Sequence, residues 1–280
     1  MWYAKRRKIR FPENRSEMER SFCIMQAESM FHLHCQKGSV GRYVFLPGDP
    51  GRVPKIATYL EQAQLTAQNR EFTTYTGFLD GVPVSVTSTG IGGPSAAIAM
   101  EELVQCGADT FLRIGTCGGM QPHLVPGTLI LPTGAVRMEG TTQEYMPLAF
   151  PAVPDFSLLS HLVQAAQALG YPFETGVVHC KDSFYGQHSP QRMPIGAQLT
   201  ANWNAWKAAG VLASEMESAA LFVIAATLQV RCATVLHMIW NQERTPDPMH
   251  TEAHHFDPDA EIRTAIAAMR CCIAADQAAQ

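Results

Sequence analysis

From Cys180 to Pro190 the chain reads CKDSFYGQHSP, a stretch holding a lysine, an acid, two aromatics, an amide and a histidine. It is too polar for a core and too aromatic for an ordinary linker, and it suits a wall against a flat, polar ligand. Lys181 supplies charge, Gln187 both donors and an acceptor, and His188 donates or accepts according to its protonation. A second cluster, LRIGTCGG from Leu112 to Gly119, sets Arg113 inside an apolar run, with Thr116 three residues on. An arginine in a buried strand needs an anion, whether a structural partner or a ligand. PGDPGR, from Pro47 to Arg52, adds glycines that let backbone N–H groups approach an anion, and a further guanidinium.

SEMES, from Ser214 to Ser218, places Glu215 and Glu217 around Met216 at the head of an apolar helix. Acids suit any helix start, but these border small and apolar residues. A carboxylate there can accept two hydrogen bonds from vicinal hydroxyls, such as those of a ribose. STGIGGPS, from Ser88 to Ser95, is a glycine turn from strand to helix but not a dinucleotide loop. Ser95 stands where the third glycine would be, and Glu101 and Glu102 fall within the predicted helix rather than at a strand end.

These clusters need elements to carry them, and the pattern supplies strands alternating with helices. RYVFLP is a short apolar strand, and GRVPKIATYLEQ follows with helical spacing. TTYTGFLDGVPVSVTSTG reads as two strands about Asp80-Gly81. GPSAAIAMEELVQCG and DFSLLSHLVQAAQALG are amphipathic helices ending at Gly107 and Gly170. TFLRIG, GTLILPTGAVR, FETGVVHC and RCATVLHMIW are further strands. MESAALFVIAATLQ is a buried helix, and PDAEIRTAIAAMRCCIAA a closing one. The expected fold is a single α/β domain over residues 31–280, with a mixed, largely parallel sheet flanked by helices. In such folds ligands sit at the carboxyl ends of the strands.

Composition narrows the setting. The chain has 280 residues, 46% of them apolar, and a formal charge of −4, which gives no reason to expect a nucleic-acid or membrane partner. Its eight cysteines form no C-x-x-C pair, so free thiols in a reducing, cytoplasmic compartment are expected. Residues 1–20 hold seven of the 21 Lys and Arg, and no apolar run of signal-peptide type follows. Residues 1–30 are expected to be a disordered basic extension, or to precede a working start at Met25 or Met30. His250, His254 and His255 in MHTEAHHFD have helical spacing for a metal, but no third ligand is evident, and a polar loop over the site is the expectation.

LPGDPGRVPKIA, REFTTYTG, STGIGGPSAAIAMEEL, TFLRIGTCGG and SEMESAALF, in that order, resemble the hexameric branch of the nucleoside phosphorylase family, and within it the uridine-cleaving members. The resemblance runs from about Phe31 to the last helix. It implies a phosphate co-substrate, no required cofactor, and active sites shared between subunits of a homo-oligomer, a trimer of dimers. Residue by residue it assigns Gly48, Arg52, Arg113 and Thr116 to phosphate, with Arg70 reaching over from a neighbouring subunit. It assigns Met216 and Glu217 to the ribose, with His32 from the neighbour. Phe184, Gln187, Cys117 and Gly118 fall on the base. Glu71, Ile91 and Ser95 match positions that hold a structural potassium ion in some members.

The implied reaction is the reversible phosphorolysis of uridine to uracil and ribose 1-phosphate. The base end departs from the family pattern. The family keeps an arginine two residues after the glutamine, where this chain has Ser189; Arg192 is displaced, and Gln242 rather than arginine follows Asn241. Lys181 and His188 are therefore expected to take over as donors to the pyrimidine oxygens, since buried oxygens left unpaired are costly. Asn241 stands where purine-cleaving relatives place an acid, which argues against purines. A purine or broad-specificity phosphorylase, a nucleosidase using water, and a catalytically silent nucleoside-binding protein remain alternatives.

Overall fold

The computed structural model describes residues 29–244, 257 and 259–279. The basic N-terminal run, apart from its last residues, and the histidines at 250, 254 and 255 lie outside them. Among the described residues nine strands form one sheet: β1 (Tyr43–Pro47), β2 (Glu61–Asn69), β3 (Phe72–Leu79), β4 (Val82–Thr87), β5 (Thr110–Gly119), β6 (Leu129–Met138), β7 (Phe173–Lys181), β8 (Ala213–Glu215) and β9 (Arg231–Asn241). Their order is β2-β3-β4-β1-β5-β8-β7-β6-β9, and β5 also pairs with β9, so the second half of the sheet closes on itself.

The sheet is mixed. β1 runs parallel to β4 and β5, β5 to β9, and β7 to β6 and β8. The β2–β3–β4 meander, β5–β8 and β6–β9 are antiparallel. The helices are α1 (Val53–Ala57), α2 (Gly93–Cys106), α3 (Thr141–Tyr145), α4 (Phe156–Leu169), α5 (Phe184–His188), α6 (Gly196–Ala208), α7 (Ser218–Leu228) and α8 (Ala260–Ala278).

Strand alternation sorts the core into layers, because successive side chains leave opposite faces of a sheet. Tyr43 and Phe45 of β1, with Leu112 and Ile114 of β5, pack under α1, α4 and α8. Val44 and Leu46 of β1, with Phe111 of β5, pack under α2 and α7. Arg113 shares the parity of Phe111, so it points to the α2/α7 side, where the head of α7 brings an acid. α7 is buried almost all round, as a helix without a polar face must be. α4 begins where Asp155 accepts from the Leu158 N–H at 2.9 Å and ends at left-handed Gly170.

Three elements differ from the sequence reading. The helix after β1 stops at Ala57, and EQAQLTAQN is the edge strand β2, paired only with β3 and interrupted by register shifts. Its apolar residues do alternate, at Ala63, Leu65 and Ala67, but two are alanines and Leu65 is exposed, so the pattern is weak beside the helical spacing that precedes it. α6 is the second difference, with only Gly196 buried along its length. Third, Glu215 belongs to β8 and Glu217 is the residue before α7, so the acids bracket a strand-to-helix turn rather than lying within the helix.

Candidate active site

The carboxyl ends of β1, β5 and β7 open, with the β8–α7 turn, onto one cleft of about 930 Å³. Gly48, Arg52, Arg113, Thr116, Cys117, Gly118, Lys181, Phe184, Gln187, His188, Met216 and Glu217 all line it, as do Glu71, Ile91 and Ser95. Segments from residue 48 to residue 240 thus converge, as the parallel strand ends predict.

At one end lies Arg113, 3% exposed in the middle of β5. Its guanidinium pairs with Glu217, and its Nε lies 3.4 Å from a Glu215 oxygen. Burial works against the charge, but Glu217 and Glu215 outweigh it and hold the Arg113 pKa above the ordinary value. Its Nη1 is buried without a hydrogen-bond partner. Gly115 makes this reach possible, since a Cβ there would stand 2.9 Å from the guanidinium and 2.8 Å from Leu236. Glu217 also accepts the Gly92 N–H at 2.6 Å, and Gly92 has φ +91°, which favours glycine. Burial pushes the Glu217 carboxyl up, with Arg113 opposing. Glu215 is tied locally, accepting the N–H groups of Glu217 and Ser218 at 2.9 Å. Of the two acids, Glu217 is therefore the one that faces outward from the turn.

Arg52 belongs to a tight turn capped by Asp49, which accepts the Gly51 N–H at 2.8 Å. The guanidinium bonds to Glu261 at the start of α8, and the other Glu261 oxygen meets His237 Nδ1 at 2.8 Å. Neither Glu261 nor this chain to β9 was visible in the sequence, because 209 residues separate Glu261 from Arg52.

The other end is the base of the CKDSFYGQHSP segment. Lys181, 7% exposed, donates to Ser214 Oγ at 2.7 Å; Ser214 donates to Gln187 Oε1 at 2.7 Å. Burial pushes the Lys181 ammonium below its ordinary pKa, with Glu215 opposing. His188 lies 4.3 Å from the Phe184 ring and 5.5 Å from that of Trp240, forming an aromatic lip. Burial, then Lys181, lowers its pKa, favouring the neutral imidazole. Arg192 is exposed and absent from the cleft lining. Asn241 spends its amide on the carbonyls of Gln121 and Leu124, both at 2.9 Å.

His32 and Arg70 are not in this cleft. They line a separate cavity of about 780 Å³ with Phe31, Glu101, Glu102 and Tyr145. Glu102 fixes His32, meeting its Nδ1 at 2.7 Å and accepting its backbone N–H at 3.0 Å. Glu71 and Ser95 meet at the cleft rim, the Ser95 hydroxyl donating at 2.9 Å. Glu71's own backbone N–H and Ser95 hold its carboxyl below the usual range. The carboxylate and hydroxyl are oxygen donors of the kind that suits a hard cation, and Ile91 lines the same cleft. Among the described residues no group of three His, Cys, Asp or Glu is placed to hold a metal, and no helix is long and apolar enough to cross a membrane.

The model of the phosphorylase superfamily matches residues 42–273 of the chain. A uridine phosphorylase of Treponema pallidum is 48% identical over 253 residues, covering 90% of this chain and 98% of the relative. One from Escherichia coli is 40% identical, covering 82% and 95%. A guanosine phosphorylase of Halorubrum lacusprofundi is 39% identical, covering 73% and 80%.

Proposed function

The chain belongs to the phosphorylase superfamily, and from that premise we propose that its cleft carries out the reversible phosphorolysis of uridine to uracil and ribose 1-phosphate. The observation that carries this reading is Arg113, a buried guanidinium between Glu217 and the glycine-lined ends of β1 and β5. Although carboxylates pair with it, Arg113 keeps a buried Nη1 with no hydrogen-bond partner, which phosphate would satisfy and a water-using nucleosidase would leave unmet. Gly48, Arg52, Arg113 and Thr116 hold phosphate, and guanidinium forks clamp several of its oxygens at once. Met216 and Glu217 hold the ribose. Cys117, Gly118, Phe184 and Gln187 bound the base.

Because Arg113 and Glu217 are paired, phosphate and sugar are fixed relative to each other, which removes the entropy of bringing them together. Phosphate attacks C1′ on the face opposite the base as the glycosidic bond breaks. The sugar gains oxocarbenium character, which the phosphate dianion stabilises, and the bonding pair leaves with the base. Lys181, aided by His188 at the lip, donates to the pyrimidine oxygens that receive this charge. No enzyme nucleophile takes part. Asn241 carries no acidic proton for a purine leaving group and is already committed to two carbonyls, which favours uridine over guanosine.

His32 and Arg70 serve a neighbouring subunit's cleft, in a homo-oligomer built from dimers and assembled as a hexamer. Their place in a separate cavity supports this. At the rim of the cleft Glu71, Ser95 and Ile91 would hold a structural potassium ion; no step depends on it, and phosphate is the co-substrate. Seven described cysteines, all free, agree with a cytoplasmic setting.

The test is base release from uridine with and without phosphate, beside inosine. Uracil release that requires phosphate, with little hypoxanthine from inosine, is expected. Release without phosphate would overturn the assignment of the arginines.

A further inference from the structure

Ser214 sits in β8 opposite His179 of β7, and Lys181 lies two residues along the same face of β7. All three are buried. A hydroxyl has one hydrogen to give and two lone pairs to fill. Gln187 Oε1 is an acceptor only, so at 2.7 Å it takes the Ser214 hydrogen. The Lys181 ammonium is a donor only, so at 2.7 Å it fills one lone pair. His179 Nδ1, 3.1 Å away, must then carry its proton and fill the other. Its burial and the nearby Lys181 push its pKa to about 4, so it is the neutral tautomer at physiological pH. The hydroxyl is saturated in a single arrangement.

That arrangement decides what the wall shows to a ligand. With its oxygen held by Ser214, Gln187 turns its amide hydrogens outward, and one of them reaches Gln242 Oε1 at 3.3 Å. Lys181 keeps two further N–H donors. The wall is thus rich in donors, with one lone pair of Gln187 Oε1 left as an acceptor, which matches a base whose carbonyl oxygens become anionic as it leaves.

We propose that Ser214 is a positioning residue for base recognition: it locks Lys181 and Gln187 into a donor-rich wall, itself held by His179. This rests on the reading of the cleft as a pyrimidine nucleoside phosphorylase. Ser214 touches no substrate in this scheme and acts through its two partners.

Steady-state kinetics with uridine and phosphate test it. Ser214→Ala is expected to lower kcat/KM for uridine about tenfold while leaving KM for phosphate unchanged. In a Lys181→Ala, Gln187→Ala background the same substitution is expected to change kcat/KM less than twofold, because its partners are already gone. Should Ser214→Ala fold poorly, Ser214→Thr and Ser214→Val have nearly the same shape and differ by the hydroxyl. Thr is then expected to outperform Val by about tenfold. Equal activity of Thr and Val, equal losses in both backgrounds, or matched changes in the two KM values would overturn the proposal alone. A wild-type protein that released no uracil from uridine would overturn the reading of the cleft, and this proposal with it.

Discussion

The two ends of the cleft are built on different physics. The end proposed for phosphate is ionic: Arg113 pairs with Glu217 and Arg52 with Glu261, and these partners come from elements distant in sequence. The base end is a chain of mostly neutral hydrogen bonds through Ser214, with one ammonium at its head and an aromatic lip at its rim. Charge held on rigid strands suits a ligand that is always an anion. Donors with one buried ammonium suit a base that is neutral when bound and becomes anionic as it leaves. The departures from the family pattern, Ser189 and Gln242, lie at the second end, beside Phe184 and Gln187, which match it.

The sharpest way to break this contrast is Arg113→Ala. It removes the phosphate guanidinium and strands the buried acids, and losing one partner of such a pair costs about 3–5 kcal/mol of stability. Activity is expected to fall roughly a thousandfold or more, with a lower Tm in calorimetry. Turnover near wild type would show that the ionic end does not carry the reaction.

Next in size is Lys181→Ala, expected to cost roughly a hundredfold in kcat/KM for uridine, within the range for loss of one charge-stabilising donor. The sign of its pH dependence follows from burial. Lys181 is charged below its pKa, and that pKa lies under the ordinary lysine value. Uridine turnover should therefore fall as pH rises through that lowered value, and the variant should lose this alkaline limb. If Lys181→Ala and His188→Ala both leave uridine turnover unchanged, other groups meet the base.

The mildest effect is expected from Glu261→Gln, which keeps the shape but weakens the hold on Arg52. KM for phosphate should rise roughly tenfold, equivalent to about 1.4 kcal/mol, with KM for uridine unmoved. A rise in the uridine value instead would mean that the ends are not separable in this way.

Much of the Arg113 end of the cleft was legible in the sequence as residues in need of partners. A lone arginine in an apolar strand, with glycines after it, declares an anion nearby because burial of an unpaired charge is prohibitive. The acids of SEMES, ahead of a wholly apolar helix, declared a buried polar turn. The helix α4, with Asp155 before it and Gly170 after it, declared its own boundaries. The edge strand β2 did not, since its alternation at Ala63, Leu65 and Ala67 is carried by small or exposed side chains and pairing with β3 holds it.

Composition and local pattern therefore determined the α/β class, most strands and helices, and which residues needed partners. Tertiary structure alone decided who those partners are. Glu261 meets Arg52 across 209 residues, and Ser214 meets Gln187 across 27, because the sheet register and the docking of α8 place them together. A side chain's demand for a partner is intrinsic to its type, whereas the identity of the partner depends on where the chain returns.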